Sequence, residues 1–458
     1  MTSLPLGSTA PSAPGPAKAA NPGPANPGLA LIRIALSPAG LLATVVLLIF
    51  VLPARVIVPG LTSIGRPGTL LAIMLLLFWL LARVHPDLTA RGRQPMRWGV
   101  AAYFLALLAS YISGELRGLT VIEANNSDRT MMAAAAMLGV ALLAADGLKS
   151  RRQLGLLMRT LFWCGVFMSV VGILQFALRK DITLYIQPPG LAFQAPPVGF
   201  SNRGAGGLVR VAGTVGHYIE FSTLIAAVVV PLGLHYSKYA VRSLERQLIA
   251  VATVISACAI PLALSRTGII AIAISMVVTG IAWGWQRRIV IGIASVMTMA
   301  VFSVIRPGLL GTLRALFMAE NDPSISGRTD DYARVFPLIS ERPWLGRGTG
   351  TFVPELYFLL DNQWLLTLVS SGVVGVAGLV VLFSTGAGQG IAVWRKASRE
   401  SDRHLAAVLV AGLASFAFSA FTFDALFFTS FVVTFGLLLG AVGALWRISG
   451  SGRPHDRY

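Results

Sequence analysis

Charge is what this sequence has least of. Only 12% of its 458 residues are charged, 55% are hydrophobic, and the mean hydropathy is +0.73. A soluble domain is nearer a quarter charged, roughly 25%. Too little polar surface remains to coat a water-soluble globule, which excludes a soluble enzyme, a disordered chain and a DNA-binding protein. Cysteine is almost absent. Cys164 and Cys258 both lie in apolar runs, so no disulfide framework organises the fold, and both read as buried, inert thiols. There is no C-x-x-C pair and no His/Cys cluster, which argues against a structural zinc site. Acidic residues are scarce: 19 Asp and Glu face 37 Lys and Arg, a formal charge of +18 and a pI near 10.9. In a soluble chain that excess would suggest nucleic acid. In a membrane chain it reflects basic cytoplasmic loops, and no nucleic-acid partner is expected.

What the sequence has in quantity is long apolar runs. Residues 1–28 stand apart: seven prolines and an Ala-Asn-Pro-Gly repeat at Ala20–Gly28 make a flexible tail without a core. The tail lacks the basic start and small-residue cleavage site of a signal peptide. Residues 29–446 then read as one polytopic membrane domain, followed by a short tail at 447–458. Runs long enough to cross a bilayer of about 30 Å recur. They fall near 38–54, 68–84, 98–113, 130–146, 153–177, 217–236, 247–263, 267–285, 289–305, 363–383, 404–421 and 425–446. Lipid offers no partner for free backbone groups, so such runs must be helices. The expected fold class is an all-α integral membrane protein with about twelve transmembrane helices. Pro231 and Pro261 are expected to kink theirs.

Charge counting orients the chain. With the N-terminus inside, the cytoplasmic segments carry 21 basic and six acidic residues, and the outer segments 15 and 13. The positive-inside rule therefore predicts N-in, C-in and accounts for nearly all of the net charge. Arg159 falls within a span and reads as a snorkelling or bundle-facing residue. Two outer loops are long, about 179–216 and 306–361. The second, between spans 9 and 10, is the large extracytoplasmic loop. It holds an amphipathic stretch at Gly308–Met318 that suits a membrane surface, and Arg328–Ser340, a short helix stopped by Pro343. Long loops in such a chain are candidates for function.

Several ionisable residues sit at outer helix ends: Arg210 and Glu220 beside the sixth span, Arg266 opening the eighth, Arg328 in the large loop, and Asp361 before the tenth. Charge at membrane depth is a functional candidate by default. Planar guanidinium forks suit phosphate oxygens, and an ionised Asp361 can accept a proton. Each also has a plain structural reading. Arg266 can mark the interface in the tight turn Leu264–Gly268. Arg210 can pair with Glu220 or lipid headgroups. Asp361-Asn362 can cap the tenth helix. His217 reads as structural. Gly346-Arg347-Gly348-Thr349-Gly350 looks like a phosphate loop, but no strand precedes it and no Lys-Ser/Thr follows, so it reads as a turn.

Taken in order, these pieces resemble the O-antigen ligase/polymerase superfamily of polytopic membrane glycosyltransferases. The matching residues are Arg210-Val-Ala-Gly213-Thr214-Val-Gly-His217, then Leu264-Ser265-Arg266-Thr267-Gly268, then Gly327-Arg328. Glu341-Arg342-Pro343-Trp344 through Phe352 follows, then Asp361-Asn362-Gln363-Trp364-Leu365 and Ser371-Gly372 through Gly375. The likeness covers about residues 200–385. It implies glycan transfer from an undecaprenyl-diphosphate carrier, a substrate and not a cofactor, on the outer face of the bacterial cytoplasmic membrane. Ligases of this kind hand the glycan to a lipid core; polymerases hand it to another carrier-linked repeat. By the same resemblance Arg210 and Arg266 would hold the diphosphate, and Arg328 would support that site. A flippase and a chain-length regulator are the implied partners, beside the glycan acceptor and membrane lipids. Just before the loop's final Asn such ligases have histidine; here stands Asp361, which fits polymerase-like members and resembles the acidic residue of the related peptidoglycan polymerases.

The resulting expectation is a polysaccharide polymerase: metal-independent, inverting, with Asp361 as base and Glu220 in reserve. Arginines can stabilise the leaving diphosphate without a metal, and the outer loops show no Asp-x-Asp pair. A ligase acting on a lipid or protein acceptor is the nearest alternative. A flippase for the same lipid-linked glycan is the rival class. Against it stand the absence of duplicated halves and the clustering of charge on one outer face instead of the midplane. Convergence of Arg210, Arg266 and Asp361 on one outward-opening cavity would separate enzyme from transporter.

Overall fold

The computed structural model describes residues 35–61, 65–84, 92–194, 199–203, 208–305 and 323–450. The tail at 1–28, the stretch Gly308–Met318 and the residues from 451 onward lie outside them.

A helix stands at each of the twelve apolar runs. In chain order these are α1 (Pro38–Phe50), α2 (Pro67–Val84), α3 (Pro95–Arg117), α4 (Val121–Gly147), α5 (Arg151–Leu178), α6 (Tyr218–Leu224) continuing into α7 (Val230–Tyr239), α8 (Ser243–Ala259), α9 (Arg266–Ile281) and α10 (Trp285–Ile305). After the large loop, which holds α11 (Pro323–Glu341), come α12 (Gln363–Lys396), α13 (Glu400–Ser419) and α14 (Thr429–Ile448). By length and composition eight are fit to cross a membrane: α2, α3, α4, α5, the α6–α7 unit, α8 with its extension to Ala263, α12 and α14. α1 and α9 are shorter apolar helices. The chain is therefore a multi-pass membrane protein with at least eight crossing-length helices among the described residues.

Local sequence sets the helix starts. Ser37, Ser150 and Ser265 each cap the following helix through the side-chain oxygen. Thr120 and Glu123 form a reciprocal capping box that opens α4, satisfying two N–H groups that a helix start would leave unpaired. The kink expected at Pro231 takes the form of a π-helical turn, Ile225–Val229, between α6 and α7. Proline lacks the N–H that an α-helix needs there, and the wider turn absorbs the mismatch. Pro261 ends its helix instead of kinking it. α8 stops at Ala259, a 3-10 turn runs Pro261–Ala263, and Leu264 follows in the left-handed region at φ 49°. Arg159 pairs with Glu245 at 2.7 Å and lies 5.1 Å from the Tyr236 ring centre. Cys164 is buried and Cys258 partly exposed; both are free thiols.

α4 and α14 pack at the centre of the bundle. A Cβ added at Gly436 would lie 2.7 Å from the Met137 carbonyl oxygen, and one at Gly440 would lie 2.6 Å from that of Ala141. Small residues four apart let two backbones touch, which is how membrane helices associate without a hydrophobic drive between them. α12 is broken. Gly372 has φ 64° and ψ −168°, a conformation essentially reserved for glycine. The loop segment 343–348 fills the break. The Arg347 and Gly348 N–H groups donate to the Val369 and Ser370 carbonyls at 3.2 and 2.9 Å, and those of Val373 and Val374 donate to the Pro343 and Trp344 carbonyls at 2.9 and 3.1 Å. Backbone groups freed at the break thus find partners inside the protein, as membrane depth demands.

Small strand pairs brace segments between the helices. β1 (Val56–Ile57) pairs with β2 (Ala192–Phe193), and β3 (Ser201–Arg203) with β4 (Leu208–Arg210), both antiparallel. The short helix expected at Arg328–Ser340 is α11, five residues longer at its start and one at its end.

Candidate active site

A cavity of about 490 Å³ lies among α4, the start of α6, the segment before α12, and the turn between α13 and α14. α4 contributes Asn126, Arg129 and Thr130. His217 and Tyr218 come from the start of α6. The 349–361 segment supplies Thr349, Glu355, Phe358 and Asp361, α12 supplies Gln363, Thr367 and Ser371, and the last turn supplies Asp424, Phe427 and Phe428. The wall is thus a mixture of aromatic faces, hydroxyls and a few charged groups, the composition of a small-molecule site.

Asp361 lines the cavity and is positioned by the residues after it. Asn362 caps α12, with the Leu365 N–H donating to Asn362 Oδ1 at 3.1 Å. The Gln363 N–H donates to the Ala420 and Phe423 carbonyls at 2.7 and 3.2 Å. The Gln363 carboxamide oxygen in turn accepts the Leu426 N–H at 2.9 Å. The start of α12 is therefore clamped to the turn that carries Asp424.

Asp424 lies outside the crossing helices. Burial first, and the neighbouring Asp361 carboxylate second, push its carboxyl up to about 7; Arg129 pulls it the other way. His217 caps α6, its Nδ1 accepting the Ile219 N–H at 3.2 Å. Its ring stacks on Tyr218, centres 4.2 Å apart, and lies 5.1 Å from Phe428. Burial, followed by the adjacent Arg210 charge, pushes His217 down to about 4, so it is neutral at pH 7. Its ring forms part of the cavity wall.

Glu220 is fully buried. Its two oxygens accept the Gly216 N–H at 3.1 Å and the Phe431 N–H at 3.0 Å. Arg66 lies beside it: a Cβ at Gly216 would stand 3.4 Å from Arg66 Nη2 and 3.8 Å from Glu220 Oε2. Burial lowers the Arg66 guanidinium to about 10, against the attraction of Glu220, so it remains charged. This carboxylate joins the starts of α6 and α14.

The Arg210 guanidinium lies 4.3 Å from the centre of the Tyr218 ring, so it backs a ring that lines the cavity. Arg266 is the first residue of α9, and Thr267 beside it donates to Thr422 at 2.9 Å, two residues from Asp424. Neither Arg210 nor Arg266 is among the lining residues. Arg328 falls on α11, and its side chain lies outside the described set. Among the described residues the lining cation is Arg129, 4.2 Å from the Phe427 ring centre. The Gly346–Gly350 stretch is a turn whose Arg347 and Gly348 N–H groups are taken up by the α12 break. Among the described residues no group of three or more His, Cys, Asp or Glu side chains is placed to hold a metal ion.

Sequence reading missed Arg66, Arg129 and Asp424. In the charge count all three are ordinary outer-loop charges. The available signal was an acid alone in the apolar turn Phe423-Asp424-Ala425-Leu426-Phe427-Phe428, where a solvated loop would carry other polar residues.

Residues 251–380 match the family model described as O-antigen ligase. Over that segment the resemblance to the O-antigen ligase/polymerase superfamily is borne out, and members of that family are membrane enzymes. The matched segment contains Arg266 and Asp361, and excludes Arg210, Glu220, Arg129 and Asp424. A search of curated proteins gave no match to the chain.

Proposed function

We propose that this chain is a polysaccharide polymerase. It would move a glycan from an undecaprenyl-diphosphate carrier to a glycan acceptor on the outer face of the bacterial cytoplasmic membrane. In this reading the chain crosses the membrane twelve times, with both termini inside, and the cavity opens outward. One observation carries the proposal: Asp361 lines a cavity large enough for a sugar ring, and Asn362 has relieved it of capping α12.

Asp361 takes the proton of the acceptor hydroxyl as that oxygen attacks the anomeric carbon. The new C–O bond forms as the bond from that carbon to the diphosphate oxygen breaks, inverting the centre in one displacement. The leaving diphosphate is already stable. Arg210 and Arg266, which stand outside the cavity lining and so do not converge on it with Asp361, would have to reach the diphosphate from beside that wall, without a metal, and Arg328 would support the same end. Glu220, with both oxygens engaged by backbone N–H groups, holds α6 and α14 together and is not the first choice of base.

A ligase is the second reading, favoured by the description of the matching family. Asp361 in the place of a histidine favours the polymerase. Purified protein in liposomes, given undecaprenyl-diphosphate-linked oligosaccharide without nucleotide sugar or metal, separates the two. Longer carrier-linked glycan establishes the polymerase. Transfer only after a lipid or protein acceptor is added makes it a ligase. Movement of glycan between leaflets without a new bond overturns both in favour of a transporter.

A further inference from the structure

We propose that Asp424 is the partner of the catalytic base: it titrates together with Asp361 in the same cavity and sets the strength of that base. The inference rests on the reading of Asp361 given above.

Its first support is placement. Both carboxylates line the same cavity. The backbone between them does not float, because Gln363 bonds to residues 420, 423 and 426 through three hydrogen bonds. Those bonds fall two residues from Asp361 and within four of Asp424 on either side. The two acids are fixed neighbours from sequence positions 63 apart. Its second support is that the Asp424 carboxylate has no capping duty: it precedes the 3-10 turn Ala425–Phe427 but makes no side-chain cap bond there.

Its third support is charge. Facing Asp424 are Asp361 from the segment before α12, Arg129 from α4, and Glu220 from α6. His217, neutral near pH 7, Glu355 and the phenols of Tyr103 and Tyr218 complete the titratable wall of the cavity among the described residues. Arg66 lies behind Glu220. Among the described residues Arg129 is the single lining cation against three lining carboxylates, so two acids in one sheltered site cannot both ionise at low pH without penalty. The burial and repulsion that lift Asp424 to about 7 agree with this arrangement.

The consequence is a division of labour. Near pH 6 the pair holds one proton, chiefly on Asp424, and Asp361 is the ionised member. Above pH 7 Asp424 ionises as well, and its charge makes Asp361 a stronger base. During transfer the hydroxyl proton goes to Asp361, and the electron pair of the broken carbon–oxygen bond leaves with the diphosphate. Asp361 then passes its proton to water at the outer face. The Asp424 proton is not consumed.

The test is the pH dependence of elongation in liposomes by wild type, Asp424→Asn and Asp424→Glu. Wild type is expected to show a rate that rises through about pH 7, and Asp424→Glu to keep that limb. Asp424→Asn is expected to retain turnover at pH 6 but lose the limb, falling behind wild type by up to roughly tenfold at pH 8.5, the ratio for a one-unit change in base strength. An Asp424→Asn profile parallel to wild type, whether equal or uniformly lower, overturns the proposal. So does complete loss of turnover in a variant that elutes as folded protein, which would make Asp424 the base. If wild type elongates nothing at any pH, the polymerase reading fails instead, and the two failures are distinct.

Discussion

The Leu365 N–H donates to Asn362 Oδ1 at 3.1 Å, so Asn362, not Asp361, caps the long helix α12. Two adjacent residues that the sequence leaves interchangeable have separate duties. Asn362→Ala is expected to lower stability by about 1 kcal/mol, the usual loss for a cap, and to reduce elongation only in proportion to folded protein. Asp361→Asn is expected to stay folded and to elongate nothing. Thermal unfolding in detergent beside the elongation assay checks both. Full turnover by Asp361→Asn would remove Asp361 as the base.

Glu220 is expected to behave in the opposite way. Its carboxylate accepts two backbone N–H groups, from Gly216 and Phe431, in a fully buried position. A glutamine offers one acceptor oxygen and turns an NH2 toward the other donor. Leaving one buried N–H unpaired costs about 1–3 kcal/mol. Glu220→Gln should therefore lower the melting temperature clearly, while activity per folded molecule stays near wild type. A stable but inactive Glu220→Gln protein would return Glu220 to the list of bases.

These two acids show where sequence reading succeeds and where it stops. The helices were legible because a bilayer admits little else: each apolar run from Pro38 to Ile448 carries a helix. Asp361 was legible because it interrupts such a run at a loop end. Arg129 and Asp424 were not, because helix starts were placed by hydropathy. α4 begins at Val121, nine residues before its apolar run, and so carries Arg129 on a helix where a loop was expected. The clamp of Gln363 on Phe423 and Leu426 joins distant segments through backbone groups, which leave no trace in residue type. The break at Gly372 was equally hidden. Its sign is one backbone conformation inside an otherwise regular apolar stretch.

Asp424 and His217 should give stability opposite dependences on pH. The Asp424 carboxyl rises from 3.8 to about 7 on folding. Its contribution is fully present below pH 4 and is lost as pH rises through 7. His217 falls from 6.5 to about 4, so its contribution is present above pH 6.5 and is lost as pH falls through 4. Asp424→Asn should remove the first slope alone. The variant should gain melting temperature relative to wild type as pH rises from 4 to 8. Parallel curves across that range would mean that Asp424 ionises normally in the folded protein.

Gly372 and Gly388 lie on the same helix and should respond to alanine with opposite signs. Gly372 combines φ 64° with ψ −168°, and a Cβ there would press on the Trp344 carbonyl and the Leu345 nitrogen, the latter at 2.7 Å. The conformation alone costs an alanine on the order of 1–3 kcal/mol. The collision would also push the 343–348 segment out of the break and strip partners from the Val369, Ser370, Val373 and Val374 backbone groups. Ser370 and Ser371 line the cavity, so the damage reaches the site as well as the fold. Gly388 meets nothing within 4 Å, and alanine there should add up to about 1 kcal/mol of helix preference. Folded yield and melting temperature of the two variants, measured side by side, test whether the break is a built element of α12. If Gly372→Ala were as stable as Gly388→Ala, α12 would run straight, and the 343–348 segment would have to find its backbone partners elsewhere.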